Sequence, residues 1–246
     1  MSDAIPAATL ISWRDLPSGP EILVVQRAAT MAFAAGAIVF PGGRVDEADR
    51  ALAAALGRPE DAAKVTAIRE TLEESAIPTG ISGVRSPDMA ASLQAELSGG
   101  RDFAELLSSH ELTLDLDLML PFARWMPSFK QPRKFDTHFY LAPALHGEWT
   151  PIPQAGECVA ARWDSPARLV ERVASGEDSA IFPTKRNLER LAQHRNFADA
   201  AADARSHSTD TIIPWVEEID GEPHVRIPDD RGYPVRWEPL STAFRA

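Results

Sequence analysis

Two stretches decide how this 246-residue chain is read: Phe40-Pro41-Gly42-Gly43 and, after 25 intervening residues, Arg69-Glu70-Thr71-Leu72-Glu73-Glu74. From Asp61 to Ala76 the apolar residues Val65, Ile68, Leu72 and Ala76 return at helical spacing. At about 100° per residue, Glu70, Glu73 and Glu74 share the opposite face. The pattern predicts one short helix with an apolar back against a core and three carboxylates in front. Like charges at i, i+3 and i+4 destabilise a helix by about 0.2–0.5 kcal/mol per pair. A hard divalent cation relieves that repulsion, and all-oxygen ligation suits Mg²⁺ or Mn²⁺, which also bridge phosphates. Acidic helix faces are usually just solvated. Here the context argues otherwise: a double glycine lets backbone approach a ligand closely and offers the Gly43 carbonyl to a cation. Arg69 can also fork onto a carboxylate and fix its rotamer.

Working outward, Ala8–Trp13 and Glu21–Gln26 read as strands separated by the turn signal Leu-Pro-Ser-Gly-Pro. The chain is expected to turn at Phe40-Pro41-Gly42-Gly43. Two helices, near Asp88–Leu97 and Phe103–Ser109, are broken by Gly99-Gly100 within a helical insert over 87–120. Strands follow at Pro121–Met126, Phe135–Leu141 and Val159–Trp163, then a helix over Ser165–Ala174. Pro183–Ala204 reads as one longer helix, with Leu188, Leu191, Ala192 and Ala198 inward and Arg186, Glu189, Arg190 and Arg195 outward. The tail, Thr211–Pro239, alternates strands with turn pairs at Asp220-Gly221 and Arg231-Gly232. This order predicts an α+β layered fold with a mixed sheet, as a single domain spanning 1–246 whose C-terminal extension covers 183–246.

Composition narrows the classes of function. Lys and Arg number 25 against 36 Asp and Glu, a formal net charge of −11, so the chain lacks the electrostatic footprint of nonspecific nucleic-acid binding. A polyanionic substrate then calls for local Arg clusters or bound cations. Cys158 stands alone, which excludes an intrachain disulfide and a cysteine-based zinc cluster. The longest apolar run, Met31–Phe40, falls short of the roughly 18 residues of a membrane helix. The N-terminal MSDAIPAATL has no basic stretch before an apolar run, so no secretory signal is expected. The expectation is a cytoplasmic protein with no membrane partner; pairing with a second copy of the chain stays open.

The two stretches together resemble the Nudix box of diphosphate hydrolases, G-x5-E-x7-R-E-U-x-E-E-x-G-U with U aliphatic. Gly43 is the opening glycine, and Arg69 to Ile77 the closing half. Asp49 stands where the first Glu belongs. Nineteen residues, rather than seven, separate it from Arg69, an insertion of about a dozen near 50–61. Thr71 replaces the aliphatic residue. Ala76 replaces the second glycine, so the helix is expected to end differently, stopped by Pro78 and Gly80. Gln26-Arg27-Ala28, Ala123-Arg124-Trp125 and Arg133-Lys134-Phe135-Asp136-Thr137 extend the likeness across about 22–172, toward the branch similar to peroxisomal coenzyme A diphosphatases.

The resemblance implies a Nudix α/β/α sandwich and Mg²⁺-dependent (or Mn²⁺-dependent) hydrolysis of a nucleoside diphosphate linked to another moiety, coenzyme A or acyl-coenzyme A by preference. ADP-ribose or a nucleotide sugar is the alternative, and a non-catalytic metabolite-binding domain the alternative of another class. Gly43, Glu70, Glu73 and Glu74 are the metal ligands it implies, and Arg69 supports them. The general base falls to a box glutamate or to Glu157, in the turn before the 159–163 strand. Arg27 and Arg44 are the candidate phosphate contacts, with Arg133 and Lys134 behind them. Trp125 and Trp163 read as core or rim residues, His138 as a packed histidine, and Cys158 as a small buried side chain with no partner to make it a nucleophile.

Overall fold

The computed structural model describes residues 4–31, 34–127 and 134–243. β1 (Ile5–Leu16) and β2 (Gly19–Arg27) form an antiparallel hairpin closed at Pro17-Ser18. The chain returns beside β2 as β3 (Ile38–Val39), bends at Phe40-Pro41, and runs antiparallel to β1 as β4 (Gly42–Arg44). The double glycine is therefore strand, and the reversal falls on the two residues before it. Close approach explains the glycine. A side chain on Gly42 would strike the Ala8 carbonyl and the Thr9 hydroxyl across the pair.

The inserted residues extend α1 (Glu47–Ala55) and form a 3₁₀ turn at Pro59–Asp61, leading into α2 (Ala62–Ser75). Val65, Ile68 and Leu72 are fully buried, as the spacing predicts. The other faces of α2 are covered too: Thr66, Thr71, Glu74 and Ser75 are all buried. Thr71 is tolerated in place of an aliphatic residue because its hydroxyl donates to the Ala67 carbonyl at 2.7 Å. The helix does not run on to Pro78. It stops at Ala76, which takes the left-handed conformation (φ 57°) and donates its N–H to the Leu72 carbonyl. Alanine here does the work of the glycine of the box, with a strained backbone.

β5 (Ile81–Ser82) and β6 (Thr113–Leu114) bracket the helical insert, α3 (Pro87–Ser98) and α4 (Phe103–Ser109). Ser86 and Asp102 cap the two helices, accepting from the N–H groups of Met89 and Glu105. β7 (Leu120–Trp125) pairs antiparallel with β8 (Phe135–Pro143), and β8 lies parallel to β1, which makes the sheet mixed. β9 (Cys158–Asp164) pairs with β2. The sheet order is β3-β2-β1-β8-β7, with β4 added to β1 and β9 to β2.

Because successive strand residues face opposite sides, the sheet carries two cores. Ala8, Leu10, Tyr140 and Ala142 pack beneath α2 and the helical insert. Ile11, Trp13, Val24, Phe139 and Leu141 pack beneath α5 (Pro166–Ser175), α6 (Phe182–Leu191) and α7 (Phe197–Ser206). Each large side chain buried this way contributes roughly 1.5–3 kcal/mol. The result is the expected α+β sandwich. Among the described residues, no helix is long and apolar enough to cross a membrane.

The C-terminal part corrects the sequence reading. Residues 183–204 form two helices, because Asn196 caps a fresh start by accepting from the Asp199 N–H, and Asp15 receives the Phe197 N–H. Arg186 and Arg190, expected outward, are each 1% exposed, whereas Ala198 faces solvent. What buries the arginines is the tail. β10 (Trp215–Ile219), β11 (Glu222–Arg226) and β12 (Trp237–Pro239) form a small antiparallel sheet followed by α8 (Leu240–Ala243). Arg186 reaches Glu238 of β12 at 3.0 Å, and Arg190 donates to Asp203 at 2.8 Å and to the Phe122 carbonyl at 3.0 Å. The Asp220-Gly221 turn falls where the sequence places it, both residues at positive φ.

Relief of the left-handed strain makes Ala76→Gly a stabilising change of about 0.5–1 kcal/mol, readable as a higher urea midpoint; an unchanged or lower midpoint would show that Ala76 carries no strain.

Candidate active site

The residue just ahead of the insertion is the anchor of the site. Asp49, on α1, is 2% exposed and receives Arg69 Nε at 2.8 Å and Nη2 at 3.0 Å, a two-pronged fork. The Thr66 hydroxyl (2.8 Å) and the Asp46 N–H (3.1 Å) also donate to Oδ2 of this carboxylate. Arg69 then extends to the trio, with Nη2 at 2.9 Å from Glu70 Oε1 and Nη1 at 3.2 Å from Glu73 Oε2. Burial opposes its charge, but Asp49, Glu70 and Glu73 outweigh burial and raise its pKa. Asp49, at the first acidic position of the motif, is thus the partner that fixes Arg69.

The trio is far from a solvated face. Glu70 lies over Gly43 so closely that a Cβ there would overlap its carboxylate. Glu74 is 1% exposed; it accepts from the Gly42 N–H at 3.0 Å and has Arg27 Nη1 at 3.8 Å. Burial, opposed by Arg69 and assisted by Glu73, lifts the Glu70 carboxyl to about 7. Burial and the charge of Glu70 push Glu74 well above the usual carboxylate range.

Two glutamines that no sequence signal marks complete the frame. Gln94 of α3 donates to the carbonyls of Glu73 (2.9 Å) and Ile152 (2.7 Å), and Gln154 donates to Glu73 Oε1 at 3.2 Å. With Ile152 N–H on the Ser75 carbonyl and Gln154 N–H on that of Glu74, these bonds stitch the loop before β9 to the end of α2. Glu157, on that loop, is exposed at the pocket rim, and its carbonyl accepts from Ala28.

These groups line one end of a pocket of about 610 Å³. Arg27 and Arg44 also line it; Arg44 is largely exposed and paired with Asp46 at 2.8 Å. Arg133 lies outside the described residues. Lys134 is not among the residues lining the pocket, and its carbonyl accepts from Ile5. Across the sheet from β4, by way of Ala7 of β1 and Thr137 of β8, the lining is apolar, with Trp125, Phe135, Phe139, Phe182 and Pro214. Trp125 is thus both core and pocket wall, whereas Trp163 sits elsewhere, donating to the Trp149 carbonyl beneath Arg14. His138 is half-buried beside Tyr140, and burial lowers its pKa. Burial pushes the Cys158 thiol up to about 12, which leaves it inert at neutral pH.

Among the described residues, no three His, Cys, Asp or Glu side chains are gathered into a metal cage, and Glu70 and Glu73 are paired with Arg69. The donor chemistry nevertheless fits a hard cation. Carboxylates crowd a dry corner where burial and mutual repulsion work against their charge, beside glycine backbone that no side chain screens.

No family model matches the chain. It is 34% identical to a NUDIX hydrolase from Alicyclobacillus acidocaldarius whose crystal structure is known, with a TM-score of 0.70 over 82% of this chain and 97% of that one. It is 29% identical to putative nudix hydrolase 7 of Caenorhabditis elegans, over 72% of this chain, and so spans only 57% of the length of that relative. It is 25% identical to acyl-coenzyme A diphosphatase NUDT19 of Homo sapiens, over 87% of this chain and 72% of that protein.

Asp49→Ala takes the two-pronged partner from the half-buried Arg69 and leaves it only Glu70 and Glu73, so it lowers the unfolding free energy by about 2 kcal/mol in urea titrations; a variant as stable as the parent would mean that Arg69 finds its place without it.

Proposed function

Because this chain belongs to the Nudix hydrolases, we propose that it cleaves the diphosphate joining a nucleoside to a second moiety, with Mg²⁺ or Mn²⁺, and that coenzyme A or its acyl thioesters are the substrates. The observation that carries this reading is the packing of Glu70 against the Gly43 backbone with Glu74 held on the Gly42 N–H. Glu70, Glu73, Glu74 and the Gly43 carbonyl would hold the cation. When bound, it neutralises phosphoryl oxygens and lowers the pKa of water.

The residues of the chain do the remaining work. The Asp49–Arg69 fork keeps Glu70 and Glu73 from swinging into solvent, and Gly42 sets the rotamer of Glu74. Arg27 and Arg44 offer positive charge at the pocket wall to a diphosphate whose approach the net charge of −11 otherwise opposes. In-line attack at phosphorus releases one proton from water, taken by a carboxylate within hydrogen-bond reach: a glutamate of the trio or Glu157 at the rim. The apolar end of the pocket supports an acyl thioester as the second moiety, since it offers area for a chain that a sugar would not use.

The test is product mass from a panel of coenzyme A, acyl-coenzyme A, ADP-ribose and a nucleotide sugar, with and without Mg²⁺. Cation-dependent release of a mononucleotide from the first two is the expected result; preference for ADP-ribose or the sugar overturns the substrate assignment, and binding without cleavage overturns the activity. Glu73→Gln and Glu74→Gln are each expected to lower kcat by roughly 10²–10⁴ while far-UV circular dichroism stays unchanged. Near-parental rates in both would place the chemistry elsewhere.

A further inference from the structure

The C-terminal segment enters the pocket from behind. Ile212 bridges onto the end of β7, taking the Met126 N–H at 3.0 Å and giving its own N–H to the Arg124 carbonyl at 2.7 Å. Two residues later, Pro214 lines the pocket. Further along, Tyr233 is buried against Trp125, with ring centroids 5.5 Å apart and planes near perpendicular. The Tyr233 hydroxyl accepts the Trp125 indole N–H at 3.1 Å and donates to Asn187 Oδ1 of α6 at 2.7 Å. Burial pushes that phenol up to about 12, so it remains a donor at neutral pH. Trp125 in turn meets Phe182, at the start of α6, edge to face at 6.1 Å. A single hydroxyl therefore ties the indole of one pocket residue to the helix that carries the other.

We infer that Tyr233 is a positioning residue for substrate specificity: through its hydroxyl it sets the plane of Trp125, and Trp125, Phe182 and Pro214 form the wall that takes the apolar acyl arm of the substrate. This rests on the diphosphatase reading of the same pocket. An aliphatic arm suits the wall better than a nucleobase does. Among the described residues, the uncharged polar side chains lining the pocket are Thr9, Thr137 and Thr184, which leaves the edge of a purine short of partners at the Trp125 wall, while Glu70 and Glu74 lie by β4 with Arg27. A rigid indole also gives contact area without ordering a flexible side chain at each binding event.

The experiment compares steady-state kinetics on acyl-coenzyme A and ADP-ribose for the parent, Tyr233→Phe, which keeps the ring and loses only the hydroxyl, and Pro214→Ala, which trims the wall without touching the buried hydrogen bonds. Expected is a rise of about 5–10-fold in KM for acyl-coenzyme A in both variants, kcat within about twofold, and unchanged constants on ADP-ribose. A purely structural role would lower active enzyme for both substrates alike, visible as a common fall in kcat. Equal KM shifts on the two substrates overturn the inference, because the wall would then serve the nucleotide they share. Unchanged KM in both variants, with the parent active on acyl-coenzyme A, overturns it while leaving the diphosphatase reading intact; a parent inactive on both substrates overturns that reading and the inference with it.

Discussion

One half-buried guanidinium organises the acidic corner of this protein. Arg69 is charged on all sides that matter: Asp49 takes its fork, and its remaining nitrogens reach Glu70 and Glu73. Without it, the glutamates of α2 would repel one another in a region where burial already works against their charge. The insertion that lengthens the box serves this interaction. It lets a carboxylate on a separate helix reach back across 20 residues to the arginine, and the short Asp side chain suffices because α1 packs directly on α2.

Around that corner the fold supplies backbone at close range. β4 can lie against β1 because Gly42 has no side chain, and Glu70 can lie against β4 because Gly43 has none. The sheet thereby brings main-chain polar groups to the carboxylates, while its edge and α6 bring aromatic rings to the other end of the same pocket. A diphosphate needs charge and a hard cation, and an acyl arm needs apolar area. The pocket separates these demands along its length, which is the physical basis for the proposed substrates.

Much of the architecture is legible in the residues. The hairpin is marked by strand-like runs on either side of Leu-Pro-Ser-Gly-Pro, the helical insert by its Gly99-Gly100 break, and α2 by the spacing of Val65, Ile68 and Leu72. The 183–204 segment is misread for a definite reason. Its arginines look like a solvated face, but Arg186 pairs with Glu238, brought there by chain that folds back from far along the sequence, and Arg190 with Asp203 on the next helix. Local periodicity carries no record of such a cover. The same holds for Gln94 and Gln154, ordinary polar residues until the fold aims them at α2.

The amino-acid sequence by itself determined the family resemblance, the carboxylate trio and the glycines that face it, because these follow from spacing along one helix and one short motif. Only the tertiary structure decided that Asp49 grips Arg69 from α1, that Ala76 stops α2 in a glycine conformation, and that Tyr233 stands behind Trp125. Spacing fixes what lies within a turn or two of helix. Contacts between residues 20 to 108 positions apart depend on where the sheet and its covering helices place them.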